Sequence, residues 1–431
     1  MLIPSKSNLC AAIENFYKMW YNIMKNYIED SSMKYLVLIP DGMADYKVEA
    51  LDNRTPMEAA EKPTMDSLAK RSFYGLVQNV PEGMVPESDT ANMAILSFDP
   101  KIYSKGRSPL EAASIGIIGG AGYTAGELLR LLINHPQVQI VFVHSSSNAG
   151  NHVCDVHGGL WGETDLRFSA EYDLTAVDVL FMCSAHGQSR KFWEENAMPE
   201  GLKVVDLAQD FRDESEGYVY GLPEINRERT RNATRVANPG CFATAIQLAL
   251  LPLAAAGELK DEIHVTAITG STGAGVKPSA TTHFSWRNDN LSVYKAFEHQ
   301  HLLEIGRTLR GLQPSFDNEI NFVPMRGDFA RGILAAVYTE SSLSVEEARK
   351  LYEDFYRDAA FTFVAGKNVD LKQVTNTNKA LVWVEKHGSK LMIVSVIDNL
   401  LKGASGQAVQ NMNIMCGFDE REGLRLKPNA F

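Results

Sequence analysis

Residues 115–143 constrain the fold more than any other part of the chain. A short apolar run at 115–119 passes into Gly119, Gly120, Ala121 and Gly122, and a helical pattern opens at Glu127. His135-Pro136 closes that helix, and a second apolar run occupies 138–143. Strand, glycine turn, helix and strand within about thirty residues is the frame of a dinucleotide-binding unit in a parallel sheet. Inside the frame Gly119, Gly122 and Ala125 take the Gly-x-x-Gly-x-x-Ala spacing. Glycines there let the backbone approach a pyrophosphate, which the start of the helix attracts. The second strand ends in His144-Ser145-Ser146-Ser147-Asn148, with no acid to hold a ribose hydroxyl. Ser145, Ser146 and Ser147 offer hydroxyl donors to a 2′-phosphate instead, so NADP is favoured over NAD.

A second stretch carries chemistry. Asn238-Pro239-Gly240 forces a turn, and the residues from Cys241 through Leu251 favour a helix. Cys241 thus sits where a helix begins, and the positive end of the helix dipole favours its thiolate. Cys241 reads as a nucleophile; the alternative is a buried cysteine acting as a small hydrophobe. Strand patterns at 177–182 and 203–207 extend the parallel sheet, with Cys183 and His186 read as packing beside the cofactor. Beyond Cys241 come longer strands at 262–268, 333–338, 380–384 and 390–396, with a charged helix over 344–358, the pattern of an α+β domain. The loop 270–277 with Lys277 is either an anion nest or a plain flexible loop. His299, His301 and Glu304 cluster at the start of another helix, and a cysteine nucleophile needs a proton partner of that kind. Small residues in 398–413 begin a helix able to pack back on the nucleotide domain.

Length and charge narrow the class. A chain of 431 residues has room for two or three domains, and a net charge of −11 argues against nucleic-acid or acidic-membrane partners. Five cysteines with no CxxC pair form neither a disulfide framework nor a zinc site, which points to a reducing cytoplasm. No apolar run reaches the length of a membrane span, and residues 1–32 lack the apolar centre of a signal peptide.

Residues 33–114 start a unit and then stop. A strand pattern at 35–39 leads to Asp41 and Asp45, helical patterns follow at 56–60 and 64–70 with Thr64 as cap, and Ser88 opens another turn. Asp41 and Ser88 read equally as metal ligand and phosphorylatable nucleophile, or as turn acid and helix cap. Asp41-Gly42-Met43-Ala44-Asp45, Ser88-Asp89-Thr90-Ala91-Asn92 and the stretch 106–114 resemble the beginning of the archaeal-type cofactor-independent phosphoglycerate mutases. That resemblance implies Asp41 as metal ligand and Ser88 as phosphoserine, but nothing after Ser114 supplies the other ligands. The expectation is an appended fragment without mutase activity, joined with no linker-like sequence.

From 114 to 431 the chain resembles the N-acetyl-gamma-glutamyl-phosphate reductases, arginine-pathway relatives of the aspartate-semialdehyde dehydrogenases. The resemblance rests on residues 119–125, 238–244, 270–277, 298–301 and 402–413, with Ala125 departing from the usual glycine. It implies an α/β protein: a Rossmann-type NADP-binding domain (115–240), an α+β catalytic domain of the semialdehyde dehydrogenase type (241–398), and a returning C-terminal helix (399–431). Ahead of these stand the N-terminal extension (1–32) and the mutase-like fragment. The implied reaction is attack of Cys241 on an acyl phosphate, release of phosphate, and reduction of the thioester by NADPH. His299 would be the general acid/base, His301 and Glu304 would position the substrate, and Arg212 and Lys277 would meet its anionic groups. Gly119, Gly122, Tyr123, Thr124, Ala125, Ser145, Ser146, Ser147, Asn399 and Gln407 would hold the cofactor, with no metal. A cytoplasmic homodimer or homotetramer acting on a small molecule is implied. An N-succinyl or aminoadipate analogue would present the same reacting centre. A mutase, or an inactive redox-sensing or scaffold protein, is the alternative of a different class; the latter would lack a nucleophile or proton partner, and both are present.

Overall fold

The computed structural model describes residues 47–72 and 112–429, which fall in two compact units divided between Asn79 and Val80. In the first, a short helix spans Pro56–Ala59. Thr55 caps it in a capping box, its hydroxyl accepting from Glu58 N (3.2 Å) while the Glu58 carboxylate accepts from Thr55 N (2.8 Å). A second helix spans Pro63–Ala69, with Lys62 at the cap position. Pro63, whose fixed φ suits the first helical turn, starts this helix one residue before the expected Thr64. The expected strand at 35–39, and Asp41, Asp45 and Ser88, lie outside the described residues.

The second unit contains two seven-stranded sheets. The first comprises β1 (Ala113–Ile118), β2 (Val138–His144), β3 (Phe168–Ser169), β4 (Val179–Met182), β5 (Lys203–Asp206), β6 (Val219–Tyr220) and β7 (Arg235–Ala237). Their order is β3-β2-β1-β4-β5-β7-β6, and every pairing is parallel. Helix α1 (Tyr123–Leu132) crosses from β1 to β2 and buries Ala125, Leu128, Leu129, Leu131 and Leu132 against the sheet. Helix α2 (Gln188–Glu195) follows β4, and α3 (Pro223–Arg231) follows β6. The chain leaves β1 toward β2 and β3, then returns to place β4 on the other side, which opens a crevice at the strand ends. Strand β1 starts at Ala113, earlier than the expected 115. Ala113 N donates to Gln137 O (2.9 Å) and Ser114 N to the Asp178 carboxylate (2.9 Å). The last residues of the mutase-like stretch are therefore built into the nucleotide sheet.

The second sheet contains β8 (Ile263–Thr269), β9 (Ser292–Val293), β10 (Ile320–Arg326), β11 (Ile333–Glu340), β12 (Thr362–Val364), β13 (Ala380–His387) and β14 (Lys390–Ile397), in the order β12-β13-β14-β11-β8-β10-β9. It is mixed, with β8/β10 and β12/β13 parallel and the other pairs antiparallel. Four of these strands match the sequence expectation. Strand β10 escaped it because Pro324 interrupts the pattern; a proline cannot donate to the ladder.

Against this sheet lies α4 (Cys241–Ala255), in which every residue from Phe242 to Ala254 is buried. A helix apolar on all sides belongs in a core rather than on a surface. Pro252 lacks the N–H that would bond Leu248 O, and the Tyr356 hydroxyl donates to that carbonyl instead (2.6 Å). Helices α5 (His301–Leu312) and α6 (Val345–Phe355) complete this layer, α6 entered through a Ser344–Glu347 capping box. A π turn at Leu401–Ser405 then leads into α7 (Gly406–Cys416). As the small residues implied, α7 returns to the first sheet: Asn411 Nδ2 donates to Gly221 O (2.9 Å), and His135 Nε2 lies 3.1 Å from Asn413 Oδ1. No helix among the described residues is long and apolar enough to cross a membrane.

Candidate active site

A cleft of about 970 Å³ runs from the crevice at β1 and β4 to the start of α4 and the face of the second sheet. At its nucleotide end Gly119 adopts φ +81°, and a Cβ there would fall 2.7 Å from Cys183 O. Only glycine permits both that conformation and that closeness. Gly122 is the N-cap of α1, and no side chain caps this helix end. Tyr123, Thr124, Ser145, Ser146 and Ser147 line the cleft, as expected. Asn148 Nδ2 donates to Ser145 Oγ (3.3 Å) and Ser147 Oγ (3.0 Å), and the two hydroxyls share one further bond (3.5 Å), so one of them keeps a proton to donate. An uncapped helix start and a row of hydroxyls without an acid fit a dinucleotide carrying a 2′-phosphate.

Three of the expected cofactor residues do something else. Ala125 is wholly buried on the sheet-facing side of α1 and acts through packing. Asn399 reaches the cleft wall, but its Oδ1 accepts from Gly332 N (2.7 Å) and its Nδ2 donates to Thr272 Oγ1 (3.0 Å). Gln407 lies outside the cleft, fully buried, donating to Thr244 Oγ1 (3.1 Å). Cys183 lies beside Gly119 with its thiol pushed up to about 12 by burial, which suits packing.

Cys241 is the first residue of α4, with Gly240 as N-cap. The expected thiolate is not favoured in this state. Burial pushes the Cys241 thiol up to about 11, outweighing the Phe242 N–H and the Arg212 charge, which act the other way. Two imidazoles share its end of the cleft. His299, in the turn before α5, is caged edge-on by Phe242, Tyr294 and Phe322, with ring centroids 5.5, 5.8 and 5.4 Å away. Its Nδ1 accepts from His301 N (3.2 Å), and burial, reinforced by Lys295, lowers it to about 4. His301 opens α5. A Cβ on Gly240 would lie 2.3 Å from His301 Nε2, so glycine lets this ring press against the turn that carries the nucleophile. His301 Nε2 lies 3.9 Å from Glu304, its Nδ1 has no hydrogen-bond partner, and burial, then Arg212, hold it well below the usual histidine range.

Glu304 and Arg212 are bonded to one another and to the turn that precedes Cys241. Glu304 does not line the cleft. Its carboxylate accepts from Arg212 Nη1 (3.0 Å), Tyr220 Oη (2.6 Å) and Gly240 N (3.1 Å). Arg212 reaches the cleft wall but gives Nε to Asn238 O (2.9 Å) and Nη2 to Leu207 O (3.1 Å). The pair bolts the Asn238-Pro239-Gly240 turn in place. The loop at 270–277 is likewise less open than a nest. The N–H groups of Gly270, Ser271 and Thr272 donate to Gly332 O, Phe329 O and Ala330 O at 2.9, 2.8 and 3.2 Å. Residues 272–277, ending in Lys277, still line the cleft, together with the buried Thr269 hydroxyl, which has no partner.

Tyr294, Lys295 and Arg326 also line the cleft, and the sequence reading passed over them. Arg326 ends the unrecognised β10, and Tyr294 follows the two-residue β9, so neither stands in a pattern that a single sequence reveals. Arg331 ties the two sheets' elements together, bonding Glu127 on α1 (2.7 Å) and Asp398 after β14 (3.0 Å).

A parallel nucleotide sheet joined to a mixed sheet, with a cysteine at the start of the helix between them, defines a semialdehyde dehydrogenase-type oxidoreductase. Family models agree: the semialdehyde dehydrogenase NAD binding domain matches residues 114–233, and the semialdehyde dehydrogenase dimerisation domain matches 241–399, the mark of an oligomer. The N-acetyl-gamma-glutamyl-phosphate reductase of Azobacteroides pseudotrichonymphae is 62% identical over 319 residues, 74% of this chain and 99% of that protein. Its counterpart in Bacteroides thetaiotaomicron is 60% identical over 318 residues, 73% of this chain and 99% of that protein. The chain belongs to the N-acetyl-gamma-glutamyl-phosphate reductase family. Aspartate semialdehyde dehydrogenase II of Vibrio cholerae, solved with ASA, shares the fold at 19% identity and TM-score 0.57, covering 71% of this chain and 98% of that one. The NADP-bound aspartate semialdehyde dehydrogenase of Candida albicans does so at 17% and 0.56, with the same coverage. A 2,3-bisphosphoglycerate-independent phosphoglycerate mutase model matches only residues 69–128, and its end overlaps β1 and much of α1.

Proposed function

We propose that Cys241 carries the reduction of N-acetyl-gamma-glutamyl phosphate to N-acetyl-glutamate 5-semialdehyde, with release of phosphate, in arginine biosynthesis. The observation that supports this most is the placing of Cys241 and two buried neutral imidazoles in one cleft with an uncapped dinucleotide turn. The α1 N-terminus from Gly122 to Thr124, approached past Gly119, would hold the pyrophosphate of NADP, and Ser145 to Ser147 its 2′-phosphate. Bound there, the cofactor supplies hydride to the thioester carbon.

The chain's own residues do the rest. The Cys241 sulfur attacks the acyl carbon and its proton passes to an imidazole; phosphate leaves and a thioester remains. Burial raises the thiol and lowers the imidazole, so both are neutral before substrate arrives. The imidazolium then returns its proton to the oxygen of the reduced carbon, and collapse of that adduct frees the aldehyde and the cysteine. The family resemblance assigns this proton transfer to His299. A second reading assigns it to His301, favoured by its contact with Gly240 and by the Glu304 carboxylate that orients it.

We further infer a cytoplasmic homodimer or homotetramer, domains at 115–240, 241–398 and 399–431, and no mutase activity in the N-terminal segment. Phosphate-dependent NADP reduction, run with N-acetyl and N-succinyl glutamate semialdehydes and the aminoadipate analogue, tests the activity. Cys241→Ser should bind NADPH yet lose turnover, because a hydroxyl lacks the thiol's acidity and nucleophilicity. Turnover within about tenfold of wild type would end the covalent reading.

A further inference from the structure

Arg212 and Arg326 line the cleft and Arg287 and Arg331 stand behind its wall, and the four divide by whether their donors are spent. Arg212 is spent on Asn238 O, Glu304 and Leu207 O. Arg287 gives its guanidinium to Thr281 O, Asn290 O, Arg326 O and Ser292 Oγ. Arg331 is held by Glu127 and Asp398. Arg326 is different. It stands at the C-terminal end of β10, lines the cleft, and its guanidinium lies over the Tyr294 ring, 4.7 Å from the centroid. Its side chain also meets the Tyr294 hydroxyl, but its Nε is buried without a hydrogen-bond partner, and among the described residues no carboxylate pairs with it. A desolvated guanidinium donor left unmade is unfavourable until an acceptor arrives. The acceptor that matches a planar fork in two parallel bonds is a carboxylate or phosphate oxygen pair.

We infer that Arg326 is a specificity-determining residue that binds a carboxylate of the substrate. The inference rests on the reading of Cys241 as nucleophile. Tyr294, which Arg326 covers, shares the cleft wall with Cys241. A carboxylate on Arg326 would thus be held in the same cleft as the nucleophile that forms the reacting thioester. In an N-acyl glutamyl phosphate the α-carboxylate stands a short alkyl chain from that carbon, at the right end for such an anchor. A dicarboxylic N-acyl group would bring a second carboxylate to the same end. Both sources offer the same chemistry, and Arg326 has the free donor to read either.

Arg326→Gln and Arg326→Lys, assayed in the full chain for phosphate-dependent NADP reduction, separate them. The probes are N-acetyl-glutamate semialdehyde, its N-succinyl counterpart, and butanal, which has the aldehyde but no carboxylate. With Gln the KM for a carboxylated aldehyde should rise about 10- to 100-fold, the range for a charge-assisted hydrogen bond. The change in kcat should be smaller, butanal should lose far less, and Lys should fall between Gln and wild type. A rise for both carboxylated substrates identifies the α-carboxylate; a rise for the N-succinyl substrate alone identifies the acyl carboxylate. Equal losses in kcat/KM for all three aldehydes, or an unchanged KM for both carboxylated ones, would overturn the inference while leaving Cys241 in place. Failure of the wild type to turn over any of the three would overturn the reading of the site and the inference together.

Discussion

Glu304→Gln tests whether this acid holds the fold of the site or the substrate. The Glu304 side chain is 5% exposed and that of Arg212 is 9%. One carboxylate accepts from the arginine, from Tyr220 and from the backbone of Gly240. An amide has a single acceptor oxygen, so its NH₂ must face one of these three donors, and the buried arginine loses its counter-charge. Breaking a buried pair from one side costs about 3–5 kcal/mol. At about 2–4 °C per kcal/mol for a large domain, Tm should fall by about 6–20 °C. The Gly240 tether precedes the nucleophile directly, so kcat should drop about tenfold or more while KM changes little. Thermal unfolding by circular dichroism and steady-state kinetics on one preparation give both numbers. A Tm within about 1 °C of wild type, with a raised KM and an intact kcat, would refute this account and restore Glu304 as a substrate ligand.

Asparagine at His299 and at His301 should separate the acid/base from its neighbour: the active one loses about 10²–10⁴ in rate and the other much less. If both stay within tenfold, proton transfer by this pair is wrong. Asp206 is buried, and desolvation raises its carboxyl from 3.8 to about 6. The fold prefers its neutral form, so this contribution to stability is full below pH 3.8 and is lost as pH rises through about 6. Asp206→Asn, which can still accept from Ser189 and Ala208, should therefore gain stability on wild type between pH 4 and 7.5; a gap that does not change with pH across that window would count against it. A chain beginning at residue 112 keeps the whole of β1 and should retain full reductase activity. Lost reduction in that chain would show the N-terminal segment to be integral to the enzyme.

Much of the architecture was legible because it is written in short-range chemistry. The turn at Gly119, the helix α1 and the strand β2 follow from a change of hydrophobic period within one stretch, and β8, β11, β13 and β14 from apolar runs long enough to stand out. Ser344 and Glu347 announce α6 through a contact three residues long. Strands β3, β6 and β9 are two residues each, and they exist only because a neighbouring strand offers a ladder. Pro324 hid β10, and with it Arg326.

The same division runs through the site. Cys241 at a helix start, the histidines at the start of α5 and the hydroxyls after β2 were all set by local sequence, because a turn and a helix end expose whatever residue stands there. Which charges would face the cleft was decided only by the tertiary structure. Arg212 and Glu304 are 92 residues apart, and the sequence marks both as free ions. Folding brings them within 3.0 Å, removes water from both, and makes them a bolt on the turn before Cys241. Burial likewise reverses the balance at Cys241, where the helix start favours a thiolate and the packing around it favours the thiol. Charge pairing and desolvation depend on what arrives from distant parts of the chain, and a local pattern carries no record of that.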